Sequence, residues 1–144
     1  MPGNKKILIV DDDEDTRILL AEDVRDLGLE PITAIDGNQA ITLARRERPS
    51  LIILDYRLPG GNGTTVLERL RQLMDTASIP VIVFSRQPSE LVADELLEHG
   101  ADAYVQKSFA NAKLRETILS FVGAPEADGE QAPLRTVAAS RVSA

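Results

Sequence analysis

Cysteine and tryptophan are both absent from this chain of 144 residues, and aromatic residues make up only 3% of it. Without cysteine the protein can form neither disulfide bonds nor thiolate metal sites. Positive charge is scarce as well, because 16 lysines and arginines stand against 23 aspartates and glutamates, which gives a net charge of -7. A nucleic-acid-binding surface neutralises phosphates with cationic side chains, so this composition argues against nucleic acid as a partner.

Long apolar runs are also missing. Only four apolar residues follow Lys5 and Lys6 before three aspartates, which is too short for the core of a signal peptide. No stretch approaches the roughly 18 apolar residues of a membrane-spanning helix. The sequence therefore predicts a soluble, cytoplasmic protein without a membrane partner. Its 144 residues have room for one domain, which buries about two-thirds of its unfolded surface.

The chain contains short apolar segments that are followed directly by acidic residues. Residues 51–54 form an uninterrupted apolar run, typical of a strand buried on both faces of a parallel sheet, and Asp55 follows directly. A second run, residues 7–10, ends in the same way on Asp11 and Asp12. In open α/β sheets, ligands bind at the carboxyl ends of the strands. Two strands are therefore predicted to bring carboxylates to one edge of the sheet.

Strand and helix patterns alternate along the chain. Gly28 is predicted to end the first helix, Asp36 and Gln39 resemble a capping box at the start of the second, and Ser89 is predicted to cap the fourth. The predicted strands are residues 7–10, 31–35, 51–54, 80–84 and 103–105. Apolar residues at helical spacing mark the five predicted helices, which lie between and after these strands. In chain order they are Leu20, Ala21, Val24 and Leu27; Ala40, Ile41 and Ala44; Val66, Leu67, Leu70, Leu73 and Met74; Leu91, Val92, Leu96 and Leu97; and Leu114, Ile118, Phe121 and Val122. Five βα units with short right-handed connections predict a doubly wound α/β sheet with helices on both faces.

The composition changes near the carboxyl end of the chain. From Ala124 onward, Ala, Pro, Glu, Gly and Ser predominate, and such a segment cannot bury much apolar surface. We therefore predict one domain over residues 1–123 and a flexible tail over residues 124–144.

Four motifs at the predicted strand ends carry a resemblance to a known family. They read Ile-Leu-Ile-Val-Asp11-Asp12, Leu-Asp55-Tyr-Arg-Leu-Pro59-Gly60-Gly61-Asn62-Gly63, Pro-Val-Ile-Val-Phe-Ser85 and Gly100-Ala101-Asp102-Ala103-Tyr104-Val-Gln-Lys107. In this order and spacing they resemble the receiver domain of two-component response regulators, in its single-domain, chemotaxis-type form. The resemblance covers about residues 5–122. It implies a flavodoxin-like, doubly wound (βα)5 fold with parallel strand order 2-1-3-4-5.

The resemblance also implies a reaction. Asp55 would accept a phosphoryl group from a histidine kinase or a phosphotransfer protein in an Mg²⁺-dependent step. Asp11, Asp12, Asp55 and the backbone carbonyl of Arg57 are the implied ligands of Mg²⁺. A hard cation with oxygen ligands would also keep three converging carboxylates ionised. Lys107 would neutralise charge on the transferring group.

A switch is implied at the next two strands. Ser85 would hydrogen-bond a phosphoryl oxygen and draw its loop inward, and Tyr104 would turn inward behind it. The expected output surface is formed by the fourth helix, the fifth strand and the fifth helix, where a downstream protein would bind. We therefore expect a stand-alone phosphoacceptor rather than an enzyme, with only self-phosphorylation and slow autodephosphorylation of its own.

Three residues depart from the family pattern. Ser108 stands where a proline with a cis bond is usual, and a cis bond before a non-proline residue costs about 2.5 to 4 kcal/mol. We therefore expect a trans Lys107-Ser108 bond and a looser placement of Lys107. Arg57 and Arg86 are bulky cations that would flank the route of an attacking water, so we expect a long-lived phosphorylated form.

Two other functions stay open at this point. A receiver-like adaptor would bind its partner without being phosphorylated, and Ser108 and Arg86 permit that interpretation. The Asp-x-Asp pattern of Asp11 and Asp13 after a strand also occurs in haloacid-dehalogenase-type phosphatases. A small Mg²⁺-dependent phosphatase is therefore the third hypothesis, although that fold usually needs a longer chain.

Overall fold

The structure is a computed structural model and describes residues 5–59, 62–87, 89–107 and 112–123. The strands are β1 (Lys6–Val10), β2 (Glu30–Ala34), β3 (Leu51–Leu54), β4 (Val81–Ser85) and β5 (Ala103–Gln106). The helices are α1 (Glu14–Asp26), α2 (Gly37–Glu47), α3 (Gly63–Gln72), α4 (Ser89–Glu98) and α5 (Ala112–Val122). The predictions about Gly60, Gly61, Ser108, the side chain of Ser89 and the tail after residue 123 lie outside the described residues.

The strands form one parallel sheet in the order β2-β1-β3-β4-β5. This order confirms the predicted doubly wound, flavodoxin-like arrangement. The reversal between β1 and β3 is the topological switch point, beside which such sheets bind their ligands. It places the ends of β1 and β3 next to each other.

Helices cover both faces of the sheet. On one face, α1 and α5 pack against the odd-numbered residues of β1 and β3, with Leu20, Val24 and Ile118 almost fully buried. On the other face, α2, α3 and α4 pack against the even-numbered residues of the same strands, with Ala44 and Leu67 among those buried. Because successive strand residues point to opposite faces, a strand covered on both sides must be apolar throughout, as residues 51–54 are.

Local hydrogen bonds fix the starts of α1 and α2. The Asp13 carboxylate accepts a hydrogen bond from the Thr16 N–H at 2.9 Å and caps α1. Asp36 accepts from the Gln39 N–H at 2.8 Å and caps α2, while the Gln39 side chain accepts from the Ile35 N–H at 2.8 Å. The predicted capping box of Asp36 and Gln39 is thus confirmed in a variant form. The side chain of Gln39 accepts its hydrogen bond from the backbone of Ile35, the residue before the cap, and not from the cap residue itself.

The predicted end of the third helix is wrong. α3 stops at Gln72, and Leu73 already has extended dihedral angles of φ -98° and ψ 131°. Met74, which the apolar period placed on the helix, lies in the following turn with 92% of its surface exposed. The Thr76 hydroxyl donates to the Leu70 carbonyl at 2.6 Å, which satisfies a carbonyl left free at the helix end. The strands β2 and β4 are each displaced by one residue from the predicted ranges.

Arg71 of α3 connects two loops on the opposite edge of the sheet. Its Nη1 donates to the carbonyls of Ile79 at 2.8 Å and Ala77 at 3.2 Å, and its Nε and Nη2 donate to the Gly100 carbonyl at 3.0 and 2.7 Å. Nη2 also pairs with Asp102 at 3.0 Å. Gly100 has a φ of +113°, and a Cβ there would lie 2.8 Å from Arg71 Cγ. Only glycine fits this contact without strain.

Throughout the described segments, no helix has both the length and the apolar character needed to cross a membrane.

Candidate functional site

The carboxyl ends of β1 and β3 bring two aspartates side by side. Val10 pairs with Leu54 in the parallel register, so Asp11 and Asp55 are the next residues on adjacent strands. The Asp55 N–H donates to the Val10 carbonyl at 3.0 Å, which fixes the backbone of Asp55 at the sheet edge. Register alone therefore places these two carboxylates in one site.

The ends of β4 and β5 supply the other predicted side chains. Ser85 pairs with Gln106, and the Lys107 N–H donates to the Ser85 carbonyl at 2.7 Å. The hydroxyl of Ser85 and the ammonium group of Lys107 thus start from the same edge of the sheet as the two aspartates. An open cleft of about 790 Å³ lies there, lined by Asp11, Asp12, Asp13, Thr16, Asp55, Arg57, Leu58, Pro59, Ser85, Arg86, Gln87 and Lys107.

Lys107 lies close to the carboxylates of both Asp11 and Asp55. Its Nζ lies 2.9 Å from Asp11 Oδ2 and 3.9 Å from Asp55 Oδ2, and 15% of its side chain is exposed. The second oxygen of Asp11 accepts from the Asp13 N–H at 2.9 Å, and the Asp11 carbonyl accepts from Arg17 Nη1 at 3.0 Å. Asp11 is therefore held from several sides, by one ion pair and by two hydrogen bonds to its side chain and backbone.

Asp11, Asp12 and Asp55 offer carboxylate oxygens that all lie within 4.8 Å of one another. Asp11 is buried, Asp55 is half-buried and Asp12 is exposed. Oxygen donors of this kind, set partly in a cleft, are those that Mg²⁺ and similar hard cations use. The residues present therefore fit a divalent cation.

Burial raises the pKa of Asp55 to about 6. The positive charge of Lys107 opposes this rise, the negative charge of Asp11 adds to it, and backbone hydrogen bonds from Arg57 and Tyr56 lower the pKa again. The Asp55 carboxylate is thus incompletely compensated by the protein alone. Additional positive charge in the cleft would favour its ionised form.

Ser85 and Tyr104 are both buried beside the cleft, with 2% and 1% of their surfaces exposed. The Tyr104 hydroxyl donates to the backbone carbonyl of Gln87, and it also has a hydrogen bond with the Ser85 side chain. Burial raises the pKa of Tyr104 to about 12. Tyr104 therefore points inward here, in contact with the hydroxyl that is expected to bind the phosphoryl group.

Gln87 is the residue that the sequence analysis missed. With its side-chain amide oriented so that the oxygen faces Arg57, it accepts hydrogen bonds from Arg57 Nε at 3.0 Å and Nη2 at 2.9 Å. Its backbone N–H lies 3.5 Å from Ser85 Oγ. Nothing in the residue type or spacing of a glutamine after a strand signals this role. Arg57 and Arg86 both line the cleft, and their expected effect on an attacking water stays a prediction.

Comparison with known proteins places the chain among signalling proteins. The sequence model of the response regulator receiver domain matches residues 7–119. PhoP of Bacillus subtilis, the alkaline phosphatase synthesis transcriptional regulatory protein, is 36% identical over 130 residues, or 87% of this chain and 53% of the relative. The probable transcriptional regulator ycf27 of Cyanophora paradoxa is 38% identical over 122 residues, or 83% and 49%. The chain thus spans about half the length of these relatives.

A relative of similar length also matches. Sporulation initiation phosphotransferase F of Bacillus subtilis is 33% identical over 119 residues, which cover 83% of this chain and 94% of the relative.

Solved structures share the fold. Chemotaxis protein CheY4 of Vibrio cholerae superposes with a TM-score of 0.77 and 26% identity, covering 83% of this chain and 99% of that one. TrrA of Thermotoga maritima, solved in complex with Mg²⁺ and BeF, has a TM-score of 0.73 and 32% identity, covering 81% and 98%. The receiver domain of the Pseudomonas aeruginosa sensor histidine kinase PA1611, with a magnesium ion in its active-site cleft, has a TM-score of 0.76 and 26% identity, covering 84% and 99%.

The match to the family spans most of the chain, and the strand order and the acidic cleft agree with it. This chain belongs to the response regulator receiver domain family of two-component signalling.

Proposed function

We propose that Asp55 accepts a phosphoryl group from a histidine kinase or a phosphotransfer protein, and that the phosphorylated domain passes the signal to a protein partner. The observation that carries this proposal is the position of Asp55 in a cleft beside Asp11, with Lys107 Nζ 2.9 Å from Asp11 and 3.9 Å from Asp55. A half-buried carboxylate with a nearby fixed cation is suited to attack phosphorus and to keep the product charge compensated.

The chemistry follows from these groups. A carboxylate oxygen of Asp55 attacks phosphorus in line with the leaving group, and the bond between phosphorus and the donor imidazole breaks as the acyl phosphate forms. Lys107 neutralises negative charge on the transferring oxygens, and the hydroxyl of Ser85 donates to one of them. Mg²⁺, when bound by Asp11, Asp12, Asp55 and the Arg57 carbonyl, supplies further positive charge at the same oxygens.

The relay to a partner is supported by the position of Ser85 and Tyr104. Both hydroxyl groups lie at the junction of β4 and β5, next to α4 and the rest of the proposed output face of α4, β5 and α5. Driving a two-state equilibrium from 1:99 to 99:1 needs about 5.5 kcal/mol, and each hydrogen bond to a charged group contributes about 1.5 to 3 kcal/mol. Two or three new contacts to the phosphoryl group are therefore enough to operate the switch.

A protein donor is supported by the surface beside the cleft. Ile18, Leu19 and Ile35 are large apolar side chains with 46 to 58% of their surfaces exposed. Ile18 and Leu19 follow Thr16, which lines the cleft, and Ile35 follows β2 at the same edge of the sheet. We expect the protein that carries the phosphohistidine to bind these exposed apolar side chains while its imidazole reaches Asp55 in the cleft.

Mg²⁺ affinity is expected to depend on Asp12 much more than on its neighbour Asp13. Asp12→Asn removes a charged oxygen ligand and should weaken Mg²⁺ binding at least about tenfold in isothermal titration calorimetry. Asp13→Asn is the matched control, because the Asp13 side chain is committed to capping α1 and asparagine caps equally well. Equal losses of affinity in the two variants would contradict the assigned ligand set.

Intact-protein mass spectrometry tests the proposed function directly. Incubation with acetyl phosphate and Mg²⁺ is expected to add one phosphoryl group per molecule, and EDTA is expected to prevent it. A protein that binds Mg²⁺ in the titration but gains no phosphoryl group would instead support the phosphorylation-independent adaptor. Release of phosphate from an ester in large excess over protein would support the phosphatase and contradict the phosphoacceptor. The expectations of a stand-alone regulator and of a long-lived phosphorylated form stay predictions.

A further inference from the structure

The carboxyl end of α2 carries three arginines, Arg45, Arg46 and Arg48, which we call the basic end of α2. Between 52 and 67% of each side chain is exposed. Ion pairs at this end join Lys6, Arg45, Arg46 and Arg48 to Glu47 and Asp75. Four positive charges against two negative ones leave a local net charge of +2, in a chain whose net charge is -7. The basic end therefore has an excess of positive charge that can bind an anionic group.

Arg48 ends α2 in the left-handed region, with φ 49° and ψ 60°. It is the one non-glycine residue with a positive φ in the part of the chain that the structure describes. Glycine is usual at such a helix end, because a Cβ strains this conformation. Nη2 of Arg48 and Nε of Arg45 lie 4.0 and 3.2 Å from the Asp75 carboxylate, so the two guanidinium groups are spaced to hold a carboxylate. Because backbone strain concentrates at functional sites, an arginine at this position indicates a role for its side chain.

The last turn of α5 lies at the same edge of the sheet. Lys5 Nζ donates to the Val122 carbonyl at 2.7 Å, and the next residue, Lys6, pairs with Glu47 at 2.9 Å. Successive residues of an extended segment point to opposite faces, so the two lysines place the ends of α5 and α2 on either side of the start of β1. Gly123 follows α5 with a φ of +85°, and a Cβ there would meet nothing within 4 Å. The chain therefore leaves α5 unobstructed, at the edge that also carries the basic end of α2.

The residues that come next in the sequence are acidic. Glu126, Asp128 and Glu130 lie within seven residues of Gly123, and no lysine or arginine occurs between Gly123 and Arg135. Helices pack about 10 Å from the layer beneath them, so α2 and α5, on opposite faces of the sheet, lie roughly 20 Å apart. Seven extended residues span up to about 25 Å. Residues 124–130, which we call the acidic segment, are therefore long enough to reach the basic end of α2.

The other helix ends at this edge do not offer the same charge. Arg25 in the last turn of α1 is followed directly by Asp26. Arg71 of α3 is engaged with backbone carbonyls and with Asp102. The last turn of α4, which ends at Glu98, contains no basic residue. Charge complementarity therefore favours α2 as the surface for the acidic segment.

We propose that the acidic segment docks on the basic end of α2 within the same molecule. This inference goes beyond the proposed function, because the surface lies at the edge opposite the Asp55 cleft and docking requires no phosphoryl group. Ion pairs between exposed side chains are individually weak and are screened by salt, but the short covalent connection to α5 keeps the effective concentration of the segment high. An acidic partner that binds the same arginines would have to displace the segment.

Paramagnetic relaxation in NMR can locate the segment. The chain has no cysteine, so Gln131→Cys provides a single site for a nitroxide label directly after the acidic segment. The relaxation enhancement of the backbone amides of residues 45–48 is divided by that of residues 25–29 at the end of α1. This docking ratio should fall at least about threefold between 0.01 M and 1 M salt, because the Debye length shrinks from about 30 to 3 Å.

Loss of charge on either partner should have the same effect as salt. Arg46→Gln combined with Arg48→Gln removes two cations of the basic end and should bring the docking ratio at 0.01 M salt to its value at 1 M. The combined variant Glu126→Gln, Asp128→Asn and Glu130→Gln should do the same from the other side. Reversing the charge of all five residues, with glutamate at the two arginines and lysine at the three acids, should restore the parental ratio.

Arg69→Gln combined with Lys113→Gln is the matched control, because it removes two positive charges elsewhere and should leave the docking ratio unchanged. Arg48→Gly should raise the midpoint of thermal unfolding and lower the ratio, because glycine relieves the strained backbone and removes the charge. A structural role of Arg48 alone would not give this opposite pair of changes.

Two results would overturn the proposal. One is a docking ratio that changes neither with salt nor in the variant with Arg46 and Arg48 replaced, or that falls equally in the control variant. The other is enhancement of residues 45–48 that persists when isotope-labelled protein without a nitroxide is mixed with nitroxide-bearing protein that is not isotope-labelled. That result would show that the segment binds a second copy of the chain.

Discussion

Asp55→Asn is expected to abolish phosphoryl uptake from acetyl phosphate while leaving the protein folded. An amide has no carboxylate oxygen to attack phosphorus, so the acyl phosphate cannot form at this position. Asparagine has almost the same shape, and the backbone bond from residue 55 to the Val10 carbonyl is kept. Intact-protein mass in the presence of Mg²⁺ and acetyl phosphate measures the effect, and the signal should fall to background.

The same variant is expected to be at least as stable as the parent in the absence of metal. The pKa of Asp55 is raised to about 6, chiefly by burial, so the folded state binds this proton more tightly than the unfolded chain does. Ionisation of Asp55 therefore lowers the free energy of unfolding as the pH rises from about 4 to above 6, and a neutral asparagine avoids that loss. Loss of labelling then cannot be attributed to unfolding.

The matched control is Asp94→Asn, on the exposed surface of α4. It removes one aspartate of the same charge without touching the cleft, and it should be labelled as fully as the parent. Labelling of Asp55→Asn at the parental level would refute Asp55 as the phosphoacceptor.

Arg71→Met is expected to cause the largest loss of stability among the variants considered, about 2 to 3 kcal/mol. The guanidinium group donates to the carbonyls of Ala77, Ile79 and Gly100 and pairs with Asp102, and 22% of the Arg71 side chain is exposed. In the variant, water makes hydrogen bonds to some of the groups that Arg71 had bound. The loss in the free energy of unfolding is therefore smaller than the sum of the contributions of the individual bonds. Thermal unfolding should show a decrease of roughly 3 °C per kcal/mol for a domain of this size.

Arg69→Met provides the control for this experiment. Arg69 lies two residues earlier on the same helix, and its Nη1 makes an exposed contact with the Asn38 side chain at 3.3 Å. Its replacement should change the free energy of unfolding by no more than about 0.5 kcal/mol. Similar losses in the free energy of unfolding in the two variants would show that the contacts of Arg71 with the α3–β4 and α4–β5 loops contribute little to stability.

Features that depend on neighbours in the chain could be predicted from the sequence. The apolar run of residues 51–54 required a strand covered on both faces, and the pairing of Asp36 with Gln39 required a helix start. The placement of Asp11 and Asp55 at strand ends followed from the same patterns, and the family resemblance supplied the strand order. The error at Met74 arose because the apolar period continues beyond the residue at which the backbone leaves the helix.

The contacts that give the site its properties join residues far apart in the chain. Lys107 meets Asp11 across 96 positions, and Arg57 meets Gln87 across the mouth of the cleft. By itself, the sequence determined the strands, the helix starts and the residue types at the sheet edge, because periodicity and capping act over a few residues. Only the tertiary structure decided the salt bridge of Lys107, the burial of Tyr104 and the contact of Arg57 with Gln87, because the crossover connections bring those side chains together.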